Sequence, residues 1–352
     1  MVARKGNLDE EQETSMSAER SRDRTPKHDE AVGKKAASDF AKAFSCSYSV
    51  TMNLARVLGM DRDDPLLHSV VGFGSGVSTM GDTCGAVNGG VIVLGQKYSE
   101  FPLSRLCLLC SEYCRRLEQR LGMTTCGELH GGKHLASNFR RAILTGKSLK
   151  CMKVVRNSAE VLLEIDREVQ ANEGSFLEEH DHAGGEILAQ HFEQQGFHCC
   201  QSTIQEIARK SQVRVDHLSN ASRGFCGGIG LNGTLCGAIA GGVLCLGSAA
   251  GVDLSKSQHK DTLRLVFHGL LKSEAVFRDE KRFPAAKVYG QCQEVYRTVE
   301  QNHGGAHCRD IIGLRLDAMD GVQQYIASNK VRTCEAVVQT VADTVTALLS
   351  PS

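Results

Sequence analysis

Two stretches of the 352-residue chain decide how the rest is read: GDTCGAVNGGVIVLG at Gly81–Gly95 and GTLCGAIAGGVLCLG at Gly233–Gly247. They align without a gap, and nine of the 15 positions are identical, among them Cys84 with Cys236, Gly85 with Gly237, Ala86 with Ala238, and Gly89–Gly90 with Gly241–Gly242. The likeness runs outward in both directions. Upstream, FSCSYS with Phe44, Cys46 and Ser49 matches FHCCQS with Phe197, Cys199 and Ser202. Downstream, GMTTC ending at Cys126 matches GGAHC ending at Cys308, and Cys151 matches Cys334 inside similar helical runs. Self-similarity over so long a period marks a tandem duplication. The first copy covers about 36–170, a linker follows over 171–185, and the second copy covers 186–350.

Four cysteines thus stand at equivalent places in each copy: Cys46, Cys84, Cys126 and Cys151, then Cys199, Cys236, Cys308 and Cys334. Their spacings are 38, 42 and 25 residues against 37, 72 and 26. The excess of 30 in the second copy, over about 248–283, is polar and charged and is expected to be a surface excursion. Two copies drift independently, so a thiol kept in both argues for a role beyond filling space. The other seven of the 15 cysteines have no counterpart.

Apolar residues recur near 3.6-residue spacing over 38–58, where Phe40, Phe44, Val50, Leu54, Val57 and Leu58 form one face, and again over 103–121, 154–169, 286–299 and 331–349. No alternating strand or hairpin signal accompanies them. The expected fold class is all-α: two similar Gly/Cys-rich bundles of four or five helices, related by the duplication and packed through a pseudo-twofold. Residues 1–35 mix charges of both signs with almost no apolar side chains, cannot offset their ordering entropy, and are expected to form a disordered tail.

Lys+Arg and Asp+Glu are both 41, so no net basic field attracts nucleic acid, and 5% aromatics with no Trp give bases little to stack on. No apolar run follows the basic start as a secretory signal requires; the cytoplasm is the expected compartment, where thiols stay reduced unless they bind metal or turn over. The uncharged stretch 224–252 is long enough to span a bilayer, yet its glycines and Asn232 fit a buried Gly-rich loop and helix better. Membrane contact is not expected. The partners expected are a redox protein and a second copy of the chain.

Two positions before Cys84 and Cys236 stand the helix N-cap formers Asp82 and Thr234, which puts each Cys in the first turn of a helix. There the macrodipole and unpaired backbone N–H groups stabilise a thiolate, making Cys84 and Cys236 the candidate reactive thiols. Gly81, Gly85 and Gly89, with Gly233, Gly237 and Gly241, recur every four residues. Glycine within a helix costs roughly 1 kcal/mol relative to alanine, so a stripe kept twice implies that another helix must approach closely, bringing its own Cys.

The core TCGAVNGG and LCGAIAGG, with a Cys 37 or 38 residues upstream in an FxCxxS setting and two further Cys downstream, resembles the C_GCAxxG_C_C family of redox-active proteins, here duplicated. The resemblance covers nearly all of the chain after the tail. It implies helical domains with four key cysteines and a redox role, and carries over to the eight cysteines above. It reaches split-Soret cytochromes as well, in which a related domain holds an iron–sulfur cluster beside haem; no C-x-x-C-H stands in this chain, so covalent haem is not implied. The function expected is electron transfer through a cysteine-ligated iron–sulfur cluster in each repeat, [2Fe–2S] for instance, as an oxidoreductase or its electron-transfer component. Thiol–disulfide exchange at Cys84 and Cys236 is the alternative, and a zinc-stabilised scaffold the third, disfavoured because the eight lack short C-x₂₋₄-C pairs.

Other signals read as structural. Cys107, Cys110 and Cys114 fall on one helical face, which suits packing, with Cys292 as approximate counterpart. Gly228, Gly230 and Gly233, with Asp253 beyond, spell a dinucleotide fingerprint, but no strand precedes them. His180, His182, His191 and His198 read as a solvated cluster near the linker. Of the adjacent Cys199 and Cys200, the alignment favours Cys199.

Overall fold

The computed structural model describes residues 25–59, 64–132, 135–171 and 183–350. Among these there is no strand, only the isolated bridges Thr83–Thr125 and Leu235–His307, and the fold is all-α as expected. The first half runs α1 (Pro26–Ala43), α2 (Cys46–Val57), α3 (Gly85–Lys97), α4 (Leu103–Leu121), α5 (Cys126–His130), α6 (Leu135–Leu144) and α7 (Lys147–Ala171). The second runs α8 (Ala183–Gln194), α9 (Cys199–Lys210), α10 (Gly237–Ala250), α11 (His259–Lys272), α12 (Ala286–His303), α13 (Cys308–Ile312), α14 (Met319–Ala327) and α15 (Val331–Leu349). Apart from α11, each helix of the second half follows its counterpart in the first in order.

Three boundaries differ from the sequence expectation. Helix formation begins at Pro26, ten residues inside the segment expected to be disordered. Thr25 caps the helix through His28 N, Pro26 suits the first turn, and Val32, Ala36 and Phe40 bury one face. The apolar run over 38–58 is two helices: Phe44 takes a left-handed conformation (φ 49°) that closes α1, and α2 restarts at Cys46. Within the excursion over 248–283, α11 and the turn Ser273–Arg278 bury Leu265, Val276, Phe277 and Phe283 against the first half, so it is a packed element. Most of the linker, 172–182, lies outside the described residues, as do His180 and His182.

The halves share one continuous apolar core. Phe73 and Phe225, equivalent residues, stack on each other with ring centroids 5.5 Å apart and planes 8° from parallel, which places the pseudo-twofold between them. On either side, Gly95 of α3 packs on the backbone of Asn220 and Ala221, and Gly247 of α10 on that of Ser69. Polar bonds also cross: Tyr296 donates to Asp82 Oδ2 at 2.6 Å, His307 Nε2 meets the same carboxylate at 3.1 Å, and Gln293 donates to Ser78 O at 2.9 Å. Gly224–Val252 is this Gly-rich seam with α10, and no helix among the described residues is long and apolar enough to cross a membrane.

Burial is the largest influence on Asp82 and by itself would raise its pKa; the His307, Tyr296 and Thr83 hydrogen bonds outweigh it and hold the carboxyl below its ordinary range. The same bond raises His307. The lowered carboxyl contributes stability above its unfolded pKa, lost as pH falls through the folded one. The raised imidazole contributes stability that is full below its ordinary pKa near 6.5 and lost as pH rises through its raised value. Asp82→Asn is expected to destabilise the chain by about 2 kcal/mol, since the half-buried imidazole loses a charged hydrogen-bond partner, and to flatten the loss of stability above neutral pH; urea unfolding of both proteins across pH 6–9 measures this.

Candidate functional site

The four repeat-conserved cysteines of the first half converge. Cys46 opens α2, Cys84 is the N-cap of α3, Cys126 opens α5, and Cys151 stands in the second turn of α7. Their side chains line one cavity of about 60 Å³ with Phe40, Phe44, His130 and Phe139, and Phe277 comes to it from the excursion of the second half. Cys84 lies within electrostatic reach of Cys46 and Cys126, and Cys151 Sγ lies 3.5 Å from His130 Nε2. The second half repeats the placement: Cys199 opens α9, Cys236 is the N-cap of α10, Cys308 opens α13 and Cys334 lies on α15. Each thiol there is within electrostatic reach of the others. Tyr325 Oη stands 3.4 Å from Cys334 Sγ.

Three of the four sulfurs in each centre therefore sit at the start of a helix, where backbone N–H groups are unpaired. In the first centre the backbone of Ser75 and Ser47 lies near Cys46 and that of Ala86 near Cys84, each favouring the thiolate; in the second, the backbone of Gly227 and Cys200 lies near Cys199, and that of Ala238 and Ile239 near Cys236. Ser75 and Gly227 are equivalent positions in a tight loop whose backbone is left-handed at several residues, including the buried β-branched Val77 (φ 56°) and Ile229 (φ 60°). Strain at equivalent positions of both halves is tolerated only where the surroundings over-determine it.

The glycine stripe acts as expected, with one change. A Cβ on Gly85 would lie 2.7 Å from Cys46 Sγ and 2.6 Å from Phe73 O, and one on Gly89 2.8 Å from Ser47 O. Gly237 is likewise hard against Cys199 Sγ, and Gly241 against Cys200 O. Helices α2 and α9 approach α3 and α10 only because these positions lack side chains, and that approach brings the first sulfur to the second. Gly81 and Gly233 precede the helices, in turns with φ of 81° and 68°.

Two expectations at Cys84 and Cys236 are corrected. Each is itself the N-cap, because the carbonyls of Thr124 and Ala306 take their N–H groups and hold the residues extended. Asp82 instead bonds Thr83, Tyr296 and His307. Nor are the thiols acidic. The Cys126 hydrogen bond and burial push Cys84 well above the ordinary thiol range, and burial with the neighbouring Cys334 pushes Cys236 up to about 12. The helix termini lose to a lack of water and to crowding by like groups: a second thiolate in either set is opposed by the first.

Sequence reasoning passed over several neighbours. His130, four residues after Cys126, was signalled only by that spacing, and the second copy has Ile312 there. Burial lowers its pKa, keeping the imidazole neutral beside Cys151. Tyr289 of α12 is buried at the first centre, bonded to Ser75 and close to Cys46 and Cys126. Its counterpart in α4 is Cys107, which neighbours Cys226 beside Cys199 and Cys308. Each centre thus receives a residue from the opposite half. Cys110 and Cys292 are buried against Gly224 and Gly72, equivalent positions; packing explains them, and Cys114 is half-buried alongside. Cys200 is buried within electrostatic reach of Cys199, Cys245 and Cys236. His198 caps α9 by accepting from Gln201 N and meets Arg223 O at 2.9 Å; buried, it is pushed down to about 4, a neutral structural group. The Gly228–Gly233 loop has no room for a pyrophosphate: a Cβ on Gly228 would lie 2.8 Å from Cys308 Cβ, and one on Gly230 would meet the backbone of α4. Among the described residues no three His, Cys, Asp or Glu side chains are gathered as a set for a single metal ion.

The family model described as "Putative redox-active protein (C_GCAxxG_C_C)" matches residues 44–165 and again 197–348. The chain belongs to this family and carries it twice. An uncharacterized protein of Archaeoglobus fulgidus is 26% identical over 131 residues, covering 34% of this chain and 82% of that protein, a relative of one-repeat size. No solved structure matches.

Gly85→Ala is expected to destabilise by about 1–3 kcal/mol through overpacking and to separate Cys46 from Cys84, whereas Gly290→Ala, whose Cβ meets open space, is expected to stabilise by about 0.5–1 kcal/mol. Paired thermal melts decide it.

Proposed function

We propose that each half holds an iron–sulfur cluster on its four cysteines and that the protein transfers electrons through the two centres. The observation that carries this reading is the double convergence: four thiols from four separate elements, kept at equivalent places through duplication, drawn together in both halves. The donor set fits. Thiolate ligands select iron–sulfur or zinc over harder ions, and backbone N–H groups aimed at the sulfurs are among the features that set a cluster's potential. Buried and crowded, the four thiols of an empty centre stay protonated; a cationic core would displace those protons, because a coordinated thiol is deprotonated outright. When bound, the cluster supplies reversible one-electron chemistry.

The chain's own residues then have definable parts. Cys46, Cys84, Cys126 and Cys151 are the ligands of the first centre, and Cys199, Cys236, Cys308 and Cys334 those of the second. Phe40, Phe44, Phe139 and Phe277 keep water from the first, and Tyr289 closes it from the other half. Asp82 and His307 lie two residues before Cys84 and one before Cys308, so their ion pair ties the ligand loops of the two centres together.

Thiol–disulfide exchange keeps one supporting observation, the grouping of Cys46, Cys84 and Cys126 at one cavity. The raised thiol pKa values work against it, because the thiolate is the attacking species.

Anaerobically purified protein is expected to be coloured, with iron and acid-labile sulfide in equal amounts. Cys84→Ser and Cys236→Ser should each remove about half of both, and the double variant nearly all. Colourless protein with stoichiometric zinc would overturn the proposal in favour of a scaffold, and metal-free protein with reversibly oxidised thiols would overturn it in favour of exchange.

A further inference from the structure

Helix α11 has no counterpart in the first half, and only one of its faces is used. Leu265 is buried, and Gly269 lies hard against Phe139 of α6. On the other face Leu263, Phe267 and Leu271, spaced four apart, are 68%, 60% and 65% exposed. The turn between α6 and α7 adds Leu144 and Leu149, each 68% exposed. These are five of the seven large apolar side chains that stand out among the described residues.

The charge around them is one-sided. Among the described residues from Leu129 to Ala159 there is no Asp or Glu, but Arg140, Arg141, Lys147, Lys150, Lys153 and Arg156 are present; α11 adds Lys260 and Arg264. The acid of α11, Asp261, accepts from Gln258 N. Among the described residues Arg140, Arg141, Lys150, Lys260 and Arg264 have no ion-pair partner. In a chain of zero net charge, this is a cationic face set around protruding aliphatic and aromatic side chains.

We propose that α11 and the α6–α7 turn dock on an anionic lipid surface, with Leu263, Phe267 and Leu271 entering the headgroup boundary and the arginines and lysines meeting lipid phosphates. An apolar stripe flanked by Lys and Arg on a helix too short and too polar to span is the pattern of interfacial binding. A second copy would set this cationic face against itself. The two long segments outside the described residues attach elsewhere. Residues 1–24 join α1 at its start, whereas α11 meets its end through the Thr262 bond to Lys42 O; 172–182 follow the far end of α7, about 37 Å from Lys147 along a helix of 25 residues. The inference does not depend on what the cysteine centres hold.

The test is co-sedimentation of the full chain with sucrose-loaded vesicles of phosphatidylcholine, with and without about one-third phosphatidylglycerol, at about 0.1 M and about 0.5 M salt. Expected are binding to the anionic vesicles alone, weakening with salt, and a loss of roughly tenfold or more in partitioning for the Leu263→Asp/Phe267→Asp variant with its helical circular dichroism intact. Wild-type protein left in the supernatant with both vesicle types would overturn the proposal, as would undiminished binding by the variant. A concentration-dependent dimer that the variant abolishes, without vesicle binding, would assign the stripe to self-association and overturn it equally.

Discussion

The structure depends on how closely two pairs of helices can approach. At Gly85 and Gly89 the backbone of α3 meets α2 at distances that leave no space for a Cβ, and α10 meets α9 in the same way at Gly237 and Gly241. Four glycines lower the intrinsic stability of two buried helices, at roughly 1 kcal/mol each relative to alanine. The approach they allow places the first sulfur of each centre beside the second. The remaining two arrive because short helices begin at Cys126 and Cys308, and long ones pass by at Cys151 and Cys334.

The duplication is more than two copies side by side. Phe73 on Phe225, the cross-half contacts of Gly95 and Gly247, and the Asp82–His307–Tyr296 cluster make the halves parts of one core. The copies have also diverged where they meet. Tyr289 of the second half stands at the first centre where symmetry puts the Cys107–Cys226 pair at the second, and His130 beside Cys151 has its functional counterpart in Tyr325 beside Cys334. The first centre is further enclosed by Phe277, which belongs to an insertion that the first copy lacks. On the proposed reading, two clusters held by equivalent cysteines among different neighbours would differ in potential, since burial and hydrogen bonds to sulfur set it.

Much of this was legible in the chain. The repeat alignment identified all eight cysteines before any geometry, because independent drift in two copies acts as an internal comparison. Helical periodicity placed α4 and α15 to the residue, since each buries one uninterrupted apolar stripe. What stayed hidden was non-local. The break at Phe44 depends on a left-handed residue that carries no sequence mark, and the packing of α11 depends on a surface made by the other half. The acidity expected of Cys84 and Cys236 followed from a local rule about helix termini; burial among other thiols reverses it, and only the assembled fold reveals burial.

The central claim is that these sulfurs are a ligand set. Iron K-edge X-ray absorption of the anaerobically prepared full chain tests it most directly. The account predicts iron surrounded by sulfur, with iron–iron scattering from a multinuclear core. Iron bound by oxygen or nitrogen alone, or no iron above background, would contradict it.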